Sequence, residues 1–296
     1  MTLGNPKPWI ECAQQNGFAI GAFNANTLEQ VQAIVQAAQA EYAPVIVQVS
    51  HNALLYIGSG NAALGLRYMA AVGQIAAQSV TVPVALHLDH ATETEVLQAI
   101  ALGFTSVMFD GDGLSFEDNI AITRRLCEIA HANGVCMEAE IGEVPKPGDE
   151  EFDESAIALT DPDEALEFVT ATGIDTLAIA LGSVHGIKDK HLGLDLARLA
   201  SIRAKVSIPL VLHGSSGVTD DNIAQGIAMG LCKVNVATQL NKAFTRDVRE
   251  ALASNSDLVD PRKYLGAGRA AQIDAVRERI RFFGASGKAA LVRGQL

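Results

Sequence analysis

Short runs rich in Val, Ile, Leu and Ala recur along the chain, each followed by a longer segment with helical spacing. The runs are AIGAFNA (19–25), PVIVQVS (44–50), PVALHLD (83–89), TSVMFD (105–110), VCMEAEIG (135–142), DTLAIALGS (175–183), PLVLHGS (209–215) and CKVNVA (232–237). They lack the polar alternation of a half-exposed strand and so fit strands buried on both faces. Between them, LEQVQAIVQAAQAEY (28–42), SFEDNIAITRRLCEIAHANG (115–134) and DPDEALEFVTATG (161–173) space their apolar residues as helices do. The last is punctuated at both ends: Asp161 as N-cap, Pro162 at the first helical position, Glu164 at the capping-box position and Gly173 as the stop.

Eight strands alternating with helices imply a parallel sheet, and the number eight predicts closure into a (β/α)8 TIM barrel. An open doubly wound sheet is the main rival. It normally carries a glycine-rich dinucleotide loop after its first strand, where this chain reads FNANTLEQ. The tail DPRKYLGAGRAAQIDAVRERIRFFGASGKA reads as one further helix, a C-terminal helical extension of the barrel. With no linker or low-complexity stretch, residues 1–296 read as a single barrel domain whose longest loop is EVPKPGDEEFDES (143–155).

Composition narrows the partners. The chain has 296 residues, 49% of them hydrophobic, enough for one large core. A formal net charge of −12 argues against nucleic acid and anionic membrane. Phosphate binding must then come from local groups such as helix N-termini and glycine-rich amides. Cys12, Cys127, Cys136 and Cys232 show no CxxC spacing and read as reduced, buried thiols of a cytoplasmic protein. No basic-then-apolar signal pattern opens the chain, and no apolar run approaches 18 residues.

The polar residues that break the apolar pattern cluster at the strand ends. Asn24 ends the first strand, Ser50 the second, Asp89 and His90 the third, Asp110 the fourth and Glu140 the fifth. His185 follows the sixth, His213 stands at the seventh, and Asn235, Val236, Ala237 and Thr238 close the eighth. In this fold the C-terminal strand ends converge on one mouth, where active sites are built. Within a regular strand Asp89 and His90 face opposite ways, so both serve one site only where the chain turns. His90, His185 and His213, from three strand ends, have the chemistry and number of a zinc site with one open position. HGSSG (213–217) and KVNVAT (233–238) follow the last two strands, where such barrels hold phosphate; Gly214, Ser215, Ser216 and Thr238 suit that role. His87 is expected to face the barrel interior and His51 the rim, while His131 and His191 read as surface residues.

HLDHAT, GFTSVMFDGD, EAEIGEV, GIDTLAIALGSVHG, PLVLHGSSG, CKVNVATQL and DPRKYL follow one another in order. Through these motifs, from GFAIGAFNANTLE to FFGASGKA, the chain resembles the class II, metal-dependent ketose-bisphosphate aldolases, which act on fructose or tagatose bisphosphate. The resemblance implies that Asp89 moves the proton of the C4 hydroxyl and that His90, His185 and His213 hold a catalytic zinc. Asp110 and Glu140 match positions for a second divalent metal or a monovalent cation. Gly186, Gly214 to Ser216 and Asn235 to Thr238 would bind the dihydroxyacetone phosphate half. Asn24 and Ser50 would touch the other half. Arg262 matches an arginine that reaches the second phosphate from a neighbouring subunit, which implies a homodimer or homotetramer. The family's acid/base glutamate sits in a mobile loop after the fifth strand. Here Pro145 and Pro147 replace its glycine pair, and Glu150 or Glu151 is the counterpart.

Cleaving a ketose between C3 and C4 leaves negative charge that a metal or a lysine Schiff base must accept. Lysines are scarce at the strand ends, which favours the metal. Fructose 1,6-bisphosphate is the leading substrate because it is the family's commoner one. Three alternatives stand beside it: tagatose 1,6-bisphosphate, a metal-dependent sugar-phosphate isomerase, and a non-catalytic sugar-phosphate binder.

Overall fold

The structure, a computed structural model, describes residues 2–142, 144, 159–187 and 189–293. In chain order the elements are α1 (Lys7–Asn16), β1 (Ile20–Asn24), α2 (Leu28–Glu41), β2 (Val45–Ser50), α3 (His51–Ile57) and α4 (Ala62–Gln78). Then come β3 (Val84–Ala91), α5 (Glu93–Ala101), β4 (Ser106–Phe109), α6 (Phe116–Ala132), β5 (Cys136–Ile141), α7 (Pro162–Thr172) and β6 (Thr176–Ile179). The chain finishes with α8 (Leu196–Lys205), β7 (Leu210–Leu212), α9 (Asp220–Ala228), β8 (Leu231–Val236), α10 (Thr238–Ser254), α11 (Pro261–Phe282) and α12 (Ala289–Arg293).

The eight strands pair in sequence order, all parallel, and β1 meets β8 to close the barrel. This is the expected (β/α)8 architecture. All eight apolar runs are strands and all three helical segments are helices. β6 and β7 are shorter than their apolar runs: beyond Ile179 the backbone of Ala180 bonds to Thr160 instead of a neighbouring strand. These residues stay buried as loop, so hydrophobicity alone overstates the strand. The tail forms the one helix expected, α11; Gly284 and Gly287, with left-handed φ of 74° and 78°, separate it from α12, which starts at the tail's last residue. The loop expected at 143–155 lies outside the described residues except for Val144.

One end of the barrel is closed. The segment around α1 bonds to the residues that open strands: Gly4 N to Val84 O, Asn5 Nδ2 to Gly134 O, Lys7 Nζ to Asp175, and Gln14 Nε2 to Ser207 O. With Trp9 buried beneath it, α1 covers the N-terminal face and leaves the C-terminal face for chemistry. Among the described residues no helix is long and apolar enough to cross a membrane.

The barrel interior departs from the usual filling of branched aliphatics. Gln48, His87 and Ser106 are laterally in register on β2, β3 and β4, and all are buried. Glu138, Thr176, His213 and Lys233 are buried as well, and each bonds to Glu138 or is Glu138 itself.

One carboxylate gathers several bonds from the C-terminal extension, whose Val276, Ile280 and Phe283 also join the core. Glu41, at the end of α2, accepts hydrogen bonds from Arg281 at 2.6 Å, Arg277 at 2.9 Å and Ser286 at 2.9 Å. Burial alone would push its carboxyl up, but the two guanidinium groups and the hydroxyl hold it at about 2. Because the folded pKa lies below the unfolded one, this stabilisation is present above roughly pH 4 and fades as pH falls toward the folded value. Glu41→Gln is therefore expected to cost about 1–3 kcal/mol at neutral pH, the worth of hydrogen bonds to a charged group. In urea unfolding followed by circular dichroism, the gap from the native chain should narrow with acidification. Identical curves at neutral pH would contradict this.

Candidate active site and metal centre

β3 solves a geometric problem. Asp89 and His90 are consecutive, yet both line the same cleft. His90 adopts φ of 48°, and the β3–β4 register shifts between Leu88 and Ala91. The strand therefore does not stop at Asp89; it bulges at His90 and continues to Ala91. A left-handed non-glycine residue costs about 1–3 kcal/mol and persists where its surroundings over-determine it. Here Asp110 does so, with Oδ2 2.9 Å from His90 Nδ1.

His213 follows β7 and His185 follows β6. The rings of His90, His185 and His213 meet edge to face, with centroids 4.9–6.0 Å apart. One ligand atom from each lies within 4.8 Å of the others. His90 Nε2 is 3.0 Å from His213 Nδ1, and His213 Nε2 is 3.1 Å from Glu138 Oε1. Thus two of the rings are held on their far nitrogen by a carboxylate, the arrangement that orients metal-binding imidazoles. His185 Nε2 is buried without a hydrogen-bond partner, and Glu140 Oε2 lies 3.1 Å from His213 Nδ1. Tetrahedral ligands about 2.0–2.1 Å from a zinc are about 3.4 Å apart, within the range spanned by this cluster. The three nitrogens, that of His185 unsatisfied, fit a divalent cation, with the Glu140 carboxylate beside them.

Charge in the site is strongly polarised. Burial would raise the Asp89 carboxyl, but His90, His213 and Lys233 hold it at about 2. Burial would lower His213, but Glu138 and Glu140 outweigh it and push the ring up to about 10. Burial, reinforced by His213 and His90, brings His185 down to about 4. Burial and the nearby Lys233 bring His87 down to about 3, and its Nδ1 lies 2.7 Å from Ser106 Oγ. Asp89 is held through both oxygens. Oδ2 accepts from Gln48 at 3.2 Å and from Asn24 at 3.3 Å, and Oδ1 accepts from Asn235 at 3.3 Å.

These groups open into a cleft of about 520 Å³ at the C-terminal end of the barrel, lined by Asn24, Ser50, Asp89, His90, Asp110, His185, Gly186, Gly214, Ser215, Ser216, Asn235, Ala237 and Thr238. Glu140 lines an adjoining cleft with His90 and Asp110. Gly214 has φ of 62°, and a Cβ there would stand 2.9 Å from the Val184 backbone. The β6 and β7 loops can approach this closely only around a glycine. Two expected residues stand apart: the Val236 side chain belongs to the apolar core, and Arg262 is exposed at the start of α11, paired with Asp260. Glu150 and Glu151 lie outside the described residues.

His51 lines the cleft, its Nδ1 2.6 Å from the buried Glu95. His131 is half-exposed but tied to Asp175, and His191 bonds to a backbone carbonyl. Sequence reading missed Gln48, Glu138 and Lys233. Their signal was present, as polar residues at the inward-facing alternate positions of otherwise apolar strands.

Residues 5–288 match the family described as fructose-bisphosphate aldolase class-II. The chain belongs to that family. It is 43% identical to a fructose-bisphosphate aldolase of Geobacillus stearothermophilus, covering 98% of this chain and 100% of that one. It is 41% identical to a fructose-bisphosphate aldolase of Staphylococcus epidermidis, again over 98% and 100%. Among solved structures, the YdjI aldolase from Escherichia coli K12 superposes with a TM-score of 0.80 at 32% identity, covering 97% of this chain and 99% of that one. Class II aldolases are in general zinc-dependent, and His90, His185 and His213 form a group that could hold a metal ion.

Glu138 and Glu140 favour the protonated His213 ring, so loading the site with a cation is expected to expel a proton. Zinc affinity should therefore rise with pH through neutrality. Calorimetric zinc titration in buffers of different ionisation enthalpy is expected to report release of about one proton or more near pH 7. Zinc binding without proton release would contradict the assignment.

Proposed function

We propose that this class II aldolase uses zinc to cleave fructose 1,6-bisphosphate reversibly into dihydroxyacetone phosphate and glyceraldehyde 3-phosphate. The observation that carries the reading is the carboxylate of Asp89 lining one cleft with His90 and His185, whose rings meet the buried His213 behind them. Fructose is favoured over its C4 epimer tagatose because the relatives at 43% and 41% identity are named for fructose bisphosphate.

His90, His185 and His213 are the proposed zinc ligands, with Asp110 and Glu140 available to a second divalent metal or a monovalent cation. Bound there, zinc would supply Lewis-acid stabilisation of the negative charge left on the dihydroxyacetone phosphate fragment. Asp89, ionised at neutral pH, takes the proton of the C4 hydroxyl. As the O–H electrons form the new carbonyl, the C3–C4 bond breaks and its pair passes to C3. Amides of Asn24, Gln48 and Asn235 keep the Asp89 carboxylate aimed. No lysine among the described residues lines the cleft, so no amine is in place for a Schiff base.

Gly186, Gly214 to Ser216 and Asn235 to Thr238, including the backbone of Val236, are the proposed binding site of the first phosphate. The N-terminus of α10, starting at Thr238, adds its dipole there. Asn24 and Ser50 contact the aldehyde half. Arg262, whose side chain is 89% exposed and does not line its own chain's cleft, would reach the second phosphate in a neighbouring subunit. The working unit is then a homodimer or homotetramer. Four unpaired, buried cysteines suit a reducing cytoplasm.

Three outcomes follow. Chelation should abolish cleavage and zinc restore it, assayed with each ketose bisphosphate; activity untouched by complete zinc removal would defeat the metal mechanism, and a single hexose product would mean isomerisation. Asp89→Ala is expected to retain zinc and dihydroxyacetone phosphate while losing about 10²–10⁴-fold in turnover, the usual worth of a proton-transfer group. Undiminished turnover would exclude Asp89 from the step. Arg262→Ala should weaken bisphosphate more than monophosphate binding, and equal loss for both would remove its phosphate role.

A further inference from the structure

Beneath the cleft lies a lysine–glutamate pair that the cleavage step does not use. Lys233 on β8 and Glu138 on β5 are each 1% exposed, and neither lines the cleft. Burying two charges carries a large desolvation cost, and an apolar pair of similar volume would fill the space without it. Every polar atom of the pair is nonetheless engaged. Lys233 Nζ donates to Glu138 Oε1 at 3.0 Å and to Asn235 Oδ1 at 2.9 Å. Glu138 Oε1 also accepts from His213 Nε2 at 3.1 Å, and Oε2 accepts from Thr176 Oγ1 at 3.0 Å.

Two orientations are decided by these bonds. An ammonium only donates, so the Asn235 atom facing it must be oxygen, and the amide nitrogen is left toward Asp89. With the amide flipped, an oxygen would face the Asp89 carboxylate. On the other side, a carboxylate only accepts, so His213 must present N–H at Nε2, and Nδ1 then faces His90 at 3.0 Å and Glu140 at 3.1 Å. One ion pair thus touches a proposed zinc ligand at one end and the partner of the proposed base at the other.

We propose that Glu138 and Lys233 are positioning residues with separate duties: Glu138 sets the His213 ring for the metal, and Lys233 sets the Asn235 amide for Asp89. The inference rests on the aldolase reading for Lys233 and on the zinc site alone for Glu138. It predicts opposite signatures. Removing the negative charge beside His213 weakens cation binding. Removing the positive charge does not weaken it, but lets Asn235 turn away from its working orientation.

The test uses the full-length chain, with zinc affinity measured by competition against a chromophoric chelator. Glu138→Gln, which keeps the shape and the acceptor oxygen, is expected to lose about 10–100-fold in zinc affinity, as carboxylates behind metal-binding histidines do. Lys233→Met is expected to bind zinc at least as tightly as the native chain. In steady-state cleavage of fructose 1,6-bisphosphate at saturating zinc, its kcat should fall about tenfold or more while KM changes little, as expected when an aligned group is displaced. Equal loss of zinc in both variants would show a merely structural pair and overturn the proposal, as would a native kcat in Lys233→Met. Should either single variant fail to fold, Lys233→Met with Glu138→Gln removes both charges together. Weaker zinc binding and a lower kcat are then expected, and native values overturn the proposal. A native chain that binds zinc yet cleaves no ketose bisphosphate would refute the aldolase reading separately, while the zinc measurement still judges Glu138.

Discussion

Buried charge has to be balanced, and this constraint organises the top of the barrel. Asp89, Asp110, Glu138 and Glu140 bring four carboxylates to one region, against the single ammonium of Lys233. Protonating His213 offsets one more charge, at the expense of a ligand position. A divalent cation among neutral imidazoles would supply two, and it would satisfy the otherwise unbonded His185 Nε2. The perturbed ionisation of Asp89 and His213 expresses the same imbalance. A residue that must stay ionised to accept a proton gains that property from its cationic neighbours rather than from exposure to water.

The fold meets this constraint by separating stability from chemistry. Apolar residues between the strands and the helices form the continuous core, and α1 closes the N-terminal face. Toward the cleft the strands carry polar residues at alternate positions, with core residues such as Ile46 and Ala85 lower in the barrel. Gln48, Asn235 and Asn24 hold Asp89, and Lys233 and Glu138 stand below them. The strain at His90 belongs to this scheme: one left-handed residue puts two consecutive side chains into a single cleft.

The barrel was legible because strands buried on both faces read as unbroken apolar runs, and eight of them alternate with helices. The site was legible because His, Asp and Asn are conspicuous at the ends of such runs. Less could be read where the physics is not local. Lys233 looked like the start of a strand, and its burial follows only from a glutamate 95 residues away. Glu138 and Gln48 are single polar letters within apolar segments, and their partners exist only once the barrel closes. β6 and β7 read too long because buried loop and buried strand have the same composition.

The central claim is that three imidazoles from three strand ends share one divalent cation with a coordination position left for substrate. X-ray absorption at the zinc edge, on the zinc-loaded chain with and without dihydroxyacetone phosphate, addresses it directly. The account predicts three imidazole nitrogens at about 2.0–2.1 Å in both samples, with the change on adding ligand confined to the oxygen shell. A first shell made only of oxygen, or one containing cysteine sulfur, would contradict it.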